Sequence, residues 1–338
     1  MNDNQHLLDA LTREGVLISV SVRFWRAAKK LQAADLGLDP DDVAERLISL
    51  GHKRLLPKDA LASFALIESR AHALVEASTF PFMNGIARFL PNAKLSDVTH
   101  RLAQLETEFN GARTDFAAEY ARLRTEAIRE WHEAASRLVR DPDRVVATIN
   151  AAFPTPDRLD RYFSFNVSLF QVRAPEALEA ELITTGDQQA IIEARAQAAA
   201  EAKASIAQGV ETFVQDAVAS LREQTATLCD EMLASMRDGK TGVHQRTLNR
   251  LVDFIDRFKA LNFAGDRDLE ARLEEVRRQF LTRTAEEYRD SDSARRKLDA
   301  GIHNLAEEAR RLARSDATEI VERFGQMGVR RFSLSDAA

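Results

Sequence analysis

The stretch VLISVSVRFW, Val16 to Trp25, decides how the fold is read. Apolar residues fall at Val16, Ile18, Val20, Val22 and Phe24, with Ser19, Ser21 and Arg23 between them. That alternation is the period of a half-buried β-strand. A lone strand leaves its backbone N–H and C=O groups without partners, so it needs a neighbour. One other segment has the same character. In FSFNVSLFQV, Phe163, Phe165, Val167 and Leu169 alternate with Ser164, Asn166 and Ser168. The two strands, 16–24 and 162–172, are therefore expected to pair and to clamp the surrounding helices into a small head.

Most of the remaining chain has helical spacing. FWRAAKKL begins a short helical stretch, and Asp39-Pro40 with Gly51 frames another near 40–49. A third runs over about 58–77, with Leu61, Phe64, Ile67, Ala71, Leu74 and Val75 on one face. FPFMNGIARFLPN, 80–92, is rich in turn chemistry. Heptad-like steps from Val98 through Leu102, Phe109, Phe116, Tyr120 and Trp131 to Leu138 then predict one helix over 95–140, roughly 65 Å long at 1.5 Å per residue. An Ala- and Glu-rich stripe from Ile191 through Val210, Phe213 and Leu221 to Met232 predicts a second long helix over 187–237. Asp238-Gly239-Lys240-Thr241-Gly242 reverses the chain, and helices follow at about 244–261, 266–290 and 293–324.

The expected fold is mainly α: an elongated antiparallel helical bundle or coiled coil, with a small head containing a two-stranded β element. Residues 1–94 and 141–186 would form the head, 95–140 a long helix, and 187–338 the antiparallel bundle.

Composition narrows the function classes. The chain has 338 residues, 45% of them hydrophobic and 30% charged, which is a folded, helix-biased composition. No run of eighteen apolar residues is present, and MNDNQHLLDALTREG lacks a cationic region ahead of an apolar core. No membrane anchor and a cytoplasmic location are expected. Net charge is −6, but residues 174–239 carry 12 acids against 4 bases, while 240–338 carry 18 against 20. The broad basic footprint of a dedicated nucleic-acid binder is missing.

No catalytic, cofactor-binding or metal-ligating residue is expected. DGKTG contains Gly-Lys-Thr, but Ala234 stands where a phosphate loop needs glycine, and a long helix precedes it in place of a strand. A helix end and turn explain it better. The seven histidines are scattered, with neither His-Glu-x-x-His nor Glu-x-x-His among them. Cys229, the only cysteine, sits in an apolar helical stripe, where packing outweighs nucleophilic chemistry. Two basic groups stand out as binding candidates. Trp25, Arg26, Lys29, Lys30, Lys53 and Arg54 could form a surface for an acidic partner, against the plainer reading of a tryptophan in the core beside a solvated loop. Arg295, Arg296 and Lys297 could contact nucleic acid, although neighbouring acids there favour solvated, ion-paired helix faces.

An ordered set of motifs resembles the bacterial domain of unknown function 3150 family. They are VLISVSVRFWRAAKKL (16–31), LGHKRLLPKDALASFALIESRAHALV (50–75), FPFMNGIARFLP (80–91), the long helix that follows, FSFNVSLFQV, ALNFAGDRDLE (260–270) and RRFSL (330–334). The resemblance implies a mobile-element protein encoded beside a MoxR-type AAA+ ATPase and a von Willebrand A-domain protein. It implies no catalytic residues. The expected function is a non-enzymatic helical scaffold or adaptor acting with those two partners, in phage defence or mobile-element maintenance. The alternative is a nucleic-acid-associated helical protein using its arginine-rich C-terminal helices. Homo-oligomerisation through the apolar stripes is a further expectation.

Overall fold

The computed structural model describes residues 3–32, 51–83, 85, 87–139, 141–172, 188–238, 243–315 and 317–330. Three earlier expectations lie outside the described residues: the helix near 40–49, the reversal at 239–242 and the RRFSL ending beyond 330. Within the described residues the protein is mainly helical with a small sheet. The chain divides into two compact units. The first comprises Met1–Ile18, Ser78–Ser96 and Leu169–Ala338; the second comprises Ser19–Ala77 and Asp97–Ser168.

The strand that opens the sequence is β1, Gly15–Arg23, and it follows helix α1, Asp3–Glu14. Its expected partner is β6, Ser164–Phe170, and the two are neighbours in a sheet of order β4-β5-β1-β6. The expected two-stranded element is thus too small. The missing strands are β4, Phe80–Phe82, and β5, Ala87–Pro91, inside the segment that reads as turn chemistry. That turn is real: Met83 and Gly85 have φ of 44° and 82°. It is short enough that the residues flanking it pair as a hairpin, Phe80↔Phe89 and Phe82↔Ala87. Pro81 is tolerated because β4 is an edge strand, where a missing N–H costs no ladder bond. On its other side β5 pairs antiparallel with β1, from Gly15↔Pro91 to Ile18↔Arg88.

In the first unit, helix α6, Gln188–Asp238, is the element on which the others are laid. The stripe read from sequence is the buried one: Val210, Phe213, Ala217, Leu221, Leu228 and Met232 are all buried. Phe213 meets Phe80, Phe82 and Phe89 of the sheet with centroids 5.1–6.5 Å apart, and stacks on Phe263 at 5.8 Å. Helix α7, Gln245–Leu261, matches expectation, but the two helices expected after it are each broken. Helix α8, Arg267–Phe280, gives way to α9, Ala285–Arg289, because Thr284 and Glu287 form a reciprocal capping box that starts a new helix. Helix α10, Asp292–Arg314, is separated from α11, Thr318–Arg330, at Ser315, whose hydroxyl donates back to the Leu312 carbonyl at 2.7 Å.

One buried polar node ties these helix ends together. Arg222 on α6 donates to the Asp266 carboxylate at 2.7 Å and to the Leu312 carbonyl at 2.6 Å, with both charged side chains under 5% exposed. The other Asp266 oxygen caps α8 by accepting from the Leu269 N–H, and the Asn262 side chain bridges back to the Asp266 backbone. The pairing is also directional. Arg222 reaches Leu312 in the last turn of α10 and Ser315 just after it, while Asp230, further along α6, meets Arg310, so α10 runs against α6.

In the second unit the core is aromatic. Helix α2, Ala62–Ser78, and α3, Asn92–Leu138, contribute Phe64, Phe109, Phe116 and Tyr120. After α3 come α4, Pro142–Ala152, capped by Asp141, and the single turn α5, Pro156–Leu159. Phe64 is completely buried and lies 5.0–5.9 Å from Phe24, Phe109, Phe116 and Phe163.

Breaking the buried ion pair should be costly. Arg222→Met is expected to lower unfolding stability by about 3–5 kcal/mol, because it leaves the Asp266 carboxylate buried without its cation. Arg222→Met combined with Asp266→Asn, which keeps a neutral cap for α8, should lose less. Urea midpoints of the two variants compare them directly.

Candidate functional site

The first group of candidate residues falls in the second unit, on and around a second, two-stranded sheet. Strand β2 is Ala28–Lys30 and β3 is His52–Arg54, paired Ala28↔Arg54, Lys29↔Lys53 and Lys30↔His52. The expected short helix at FWRAAKKL is therefore absent. Ala27 takes φ of 46°, a left-handed turn that no helix accommodates, and its carbonyl accepts from the Leu55 N–H at 2.7 Å. Left-handed backbone costs a β-carbon-bearing residue roughly 1–2 kcal/mol, so the pairing outweighs a local preference that eight residues are too few to express.

Ala27 also separates Trp25 from Lys29 and Lys30. Trp25 is 7% exposed and packs on Phe116, Tyr120 and Phe153 at 5.9–6.5 Å, so it is a core residue and presents no binding face. Tyr120, in the same cluster, donates to the Pro154 carbonyl at 2.7 Å, and burial pushes its phenol up to about 12 against a lowering by Arg124. Arg26 is exposed but engaged: it pairs with Glu68 at 2.6 Å and lies 3.9 Å over the Phe24 ring. Lys53 is buried.

Lys29, Lys30, His52 and Arg54 remain exposed. Side chains alternate along a strand, so the register places Lys30, His52 and Arg54 on one face of the hairpin and Lys29 with Lys53 on the other. Five of these six residues are basic and none is acidic. Like charges sit directly opposite one another, which weakens a strand pair. Among the described residues no carboxylate pairs with Lys29 or Lys30.

Arg54 also lines a groove of about 280 Å³, together with Leu55, Leu56, Pro57, Ala127, Glu130, Trp131 and Ala134. Leu55, Leu56 and Ala127 are buried and form its apolar floor. Trp131 is half-buried, and its indole N–H donates to the Arg54 carbonyl at 2.9 Å, which fixes the ring against the hairpin. The α3 stripe shifts here: Ala135 is buried while Ala134 opens onto the groove. By its spacing Trp131 reads as one more member of the α3 stripe, and the groove has no local sequence signal because its other wall lies more than seventy residues away in the chain.

The second group begins α10 in the first unit, and all three side chains are exposed. Arg295 pairs with Asp292 at 2.8 Å, and Arg296 donates to the Asp292 carbonyl at 3.3 Å. Lys297 borders a mixed-charge groove between α8 and α10 that also contains Glu275 and Glu308. The neighbouring arginines are similarly occupied, Arg310 with Asp230 and Glu307, and Arg311 with Glu308.

Cys229 is completely buried, and burial, with a smaller push from Asp230, moves its thiol up to about 12 against an opposing Arg310. It is protonated and inaccessible at neutral pH. Among the described residues no cluster of three His, Cys, Asp or Glu side chains could hold a metal, and no helix is long and apolar enough to cross a membrane.

The profile of a family described as "Protein of unknown function (DUF3150)" matches residues 12–307. The chain belongs to the DUF3150 family. Its matched span includes all of the second unit, with the β2–β3 hairpin and the groove beside Trp131, and most of the first. No curated protein and no solved structure gives a match.

The native thiol should resist alkylation. Iodoacetamide at pH 8 is expected to label Cys229 at a small fraction of the rate measured in urea, because the folded-state pKa lies well above the pH and the side chain is out of reach. Labelling at equal rates, followed by mass spectrometry, would contradict the placement.

Proposed function

We propose that this DUF3150 protein is a non-enzymatic helical adaptor acting with a MoxR-type AAA+ ATPase and a von Willebrand A-domain protein, in phage defence or mobile-element maintenance. The observation that carries the reading is where the polar chemistry has gone. Among the described residues a deeply buried ion pair joins Arg222 to Asp266 and holds helix ends together, and the one thiol is packed away. Five arginines of α8 and α10 are engaged with acids of their own or adjacent helices: Arg272 with Glu275, Arg277 with Asp256, Arg295 with Asp292, Arg310 with Asp230 and Arg311 with Glu308. What is left for outside contact is surface, and the strands β2 and β3 beside the groove carry five basic side chains and no acidic one. The partner identities follow from the resemblance of the sequence motifs.

The same arginine pairing weighs against the nucleic-acid reading. A guanidinium already held by a carboxylate contributes little counterion release on meeting a phosphate.

The test is co-purification of the tagged chain with the ATPase and the A-domain protein, with and without a non-hydrolysable ATP analogue. Retention of the ATPase, altered by nucleotide, is the expected result. Retention of neither protein in any nucleotide state, with nucleic acid bound and released by salt, would overturn it.

A further inference from the structure

We propose that the cationic face of the β2–β3 hairpin and the groove beside Trp131 form one docking site, whose occupant is a polypeptide segment carrying carboxylates followed by an apolar anchor. The inference rests on the adaptor reading and names where that adaptor would hold a partner. Four observations carry it.

First, the two features are continuous. Arg54 stands on the same hairpin face as Lys30 and His52, and it also lines the groove. Second, the groove has the make-up of an anchor pocket. Its floor of Leu55, Leu56 and Ala127 is apolar, its rim is charged, and an indole is held in place on its wall. Buried apolar anchors in pockets with polar rims carry most of the energy in protein interfaces, and tryptophan and arginine are over-represented among them. At about 280 Å³ the groove falls just below the usual range of ligand-cavity volumes, which suits one or two side chains better than a cofactor.

Third, charge is complementary to an acidic segment at one end only. Lys30, His52 and Arg54 crowd the hairpin end, whereas Glu130 marks the α3 end. A segment with its carboxylates at the hairpin and a neutral or basic residue beyond the anchor satisfies both. Fourth, the geometry disfavours nucleic acid as the occupant. A continuous phosphate chain would meet Glu130, and the Trp131 ring is tied by its N–H to the Arg54 carbonyl, so it is not free to swing out and stack on a base.

The probe is a displayed random-peptide library selected on the full chain, followed by fluorescence anisotropy with the enriched peptides. Enriched sequences are expected to place Asp or Glu ahead of a Leu, Phe or Trp. Their Kd should rise about ten-fold or more in Lys30→Glu and in Arg54→Glu, with binding weakened by salt. Both side chains are exposed, and Arg54 engages Trp131 through its backbone, so the fold should survive. Ala134→Trp, at an exposed position on the groove, should block the anchor by filling its place while leaving circular dichroism unchanged.

Peptides without an acidic bias, no enrichment at all, or unchanged binding to the three variants would overturn the proposal. So would a labelled single-stranded oligonucleotide that competes for the same residues more strongly than the peptides. If the ATPase is retained by the chain and none of the three variants weakens it, the docking site is wrong and the adaptor reading stands. If peptides bind as expected and no ATPase is retained, the site stands and the partner assignment falls.

Discussion

The contact between Arg222 and Asp266 is the constraint on which the first unit depends. Two charges removed from water are costly unless every remaining donor and acceptor is engaged. Here they are engaged by backbone. The guanidinium takes the Leu312 carbonyl in the last turn of α10, and the carboxylate caps the first turn of α8. The Asn262 side chain completes the turn by bonding the Asp266 backbone and the Glu270 carboxylate. Three helix ends are thereby fixed at one point on α6. The apolar stripe supplies the greater part of the driving force, since burial is non-directional and scales with area. The ion pair supplies register, because it is satisfied in one arrangement only.

Much of this was legible from the residues. A period of two at Val16–Phe24 and Phe163–Leu169 located two strands, and their pairing followed from their isolation. The stripes on α2, α3 and α6 are the buried ones, because helical periodicity reports directly on which face leaves water. Failures came where a few residues decide the backbone. FPF and ARFLP are too short to show alternation, and their pairing depends on positive φ at Met83 and Gly85. AKK and HKR have no apolar pattern, so only the register between them reveals a hairpin. The break at Thr284 did carry a signal: Thr-x-x-Glu is the capping-box pattern, and it outweighs a continuing heptad. The break at Ser315 carried a similar one, since Asp316 stands three residues before Glu319 and an apolar pair follows.

The candidate site was half legible for the same reason. The basic residues are visible in sequence, but their usefulness depends on who already holds them. Trp25 went to the aromatic core, Arg26 to Glu68, and Lys53 into the interior. Lys30, His52 and Arg54 kept their exposure on one face. Trp131, read as one more member of the α3 stripe, gained its second role because the stripe shifts from Ala134 to Ala135 at that turn. A site assembled from segments this far apart is a product of topology, and no local pattern announces it.

The central claim is that the protein acts through surface contact, centred on the hairpin and the groove beside Trp131. Hydrogen–deuterium exchange of the full chain, alone and with the proposed ATPase partner in excess, tests it most directly. The account predicts new protection concentrated at residues 28–30, 52–57 and 127–134, with the α8–α10 surface unchanged. Protection confined to α10 around Arg295–Lys297, or none anywhere on the chain, would contradict it.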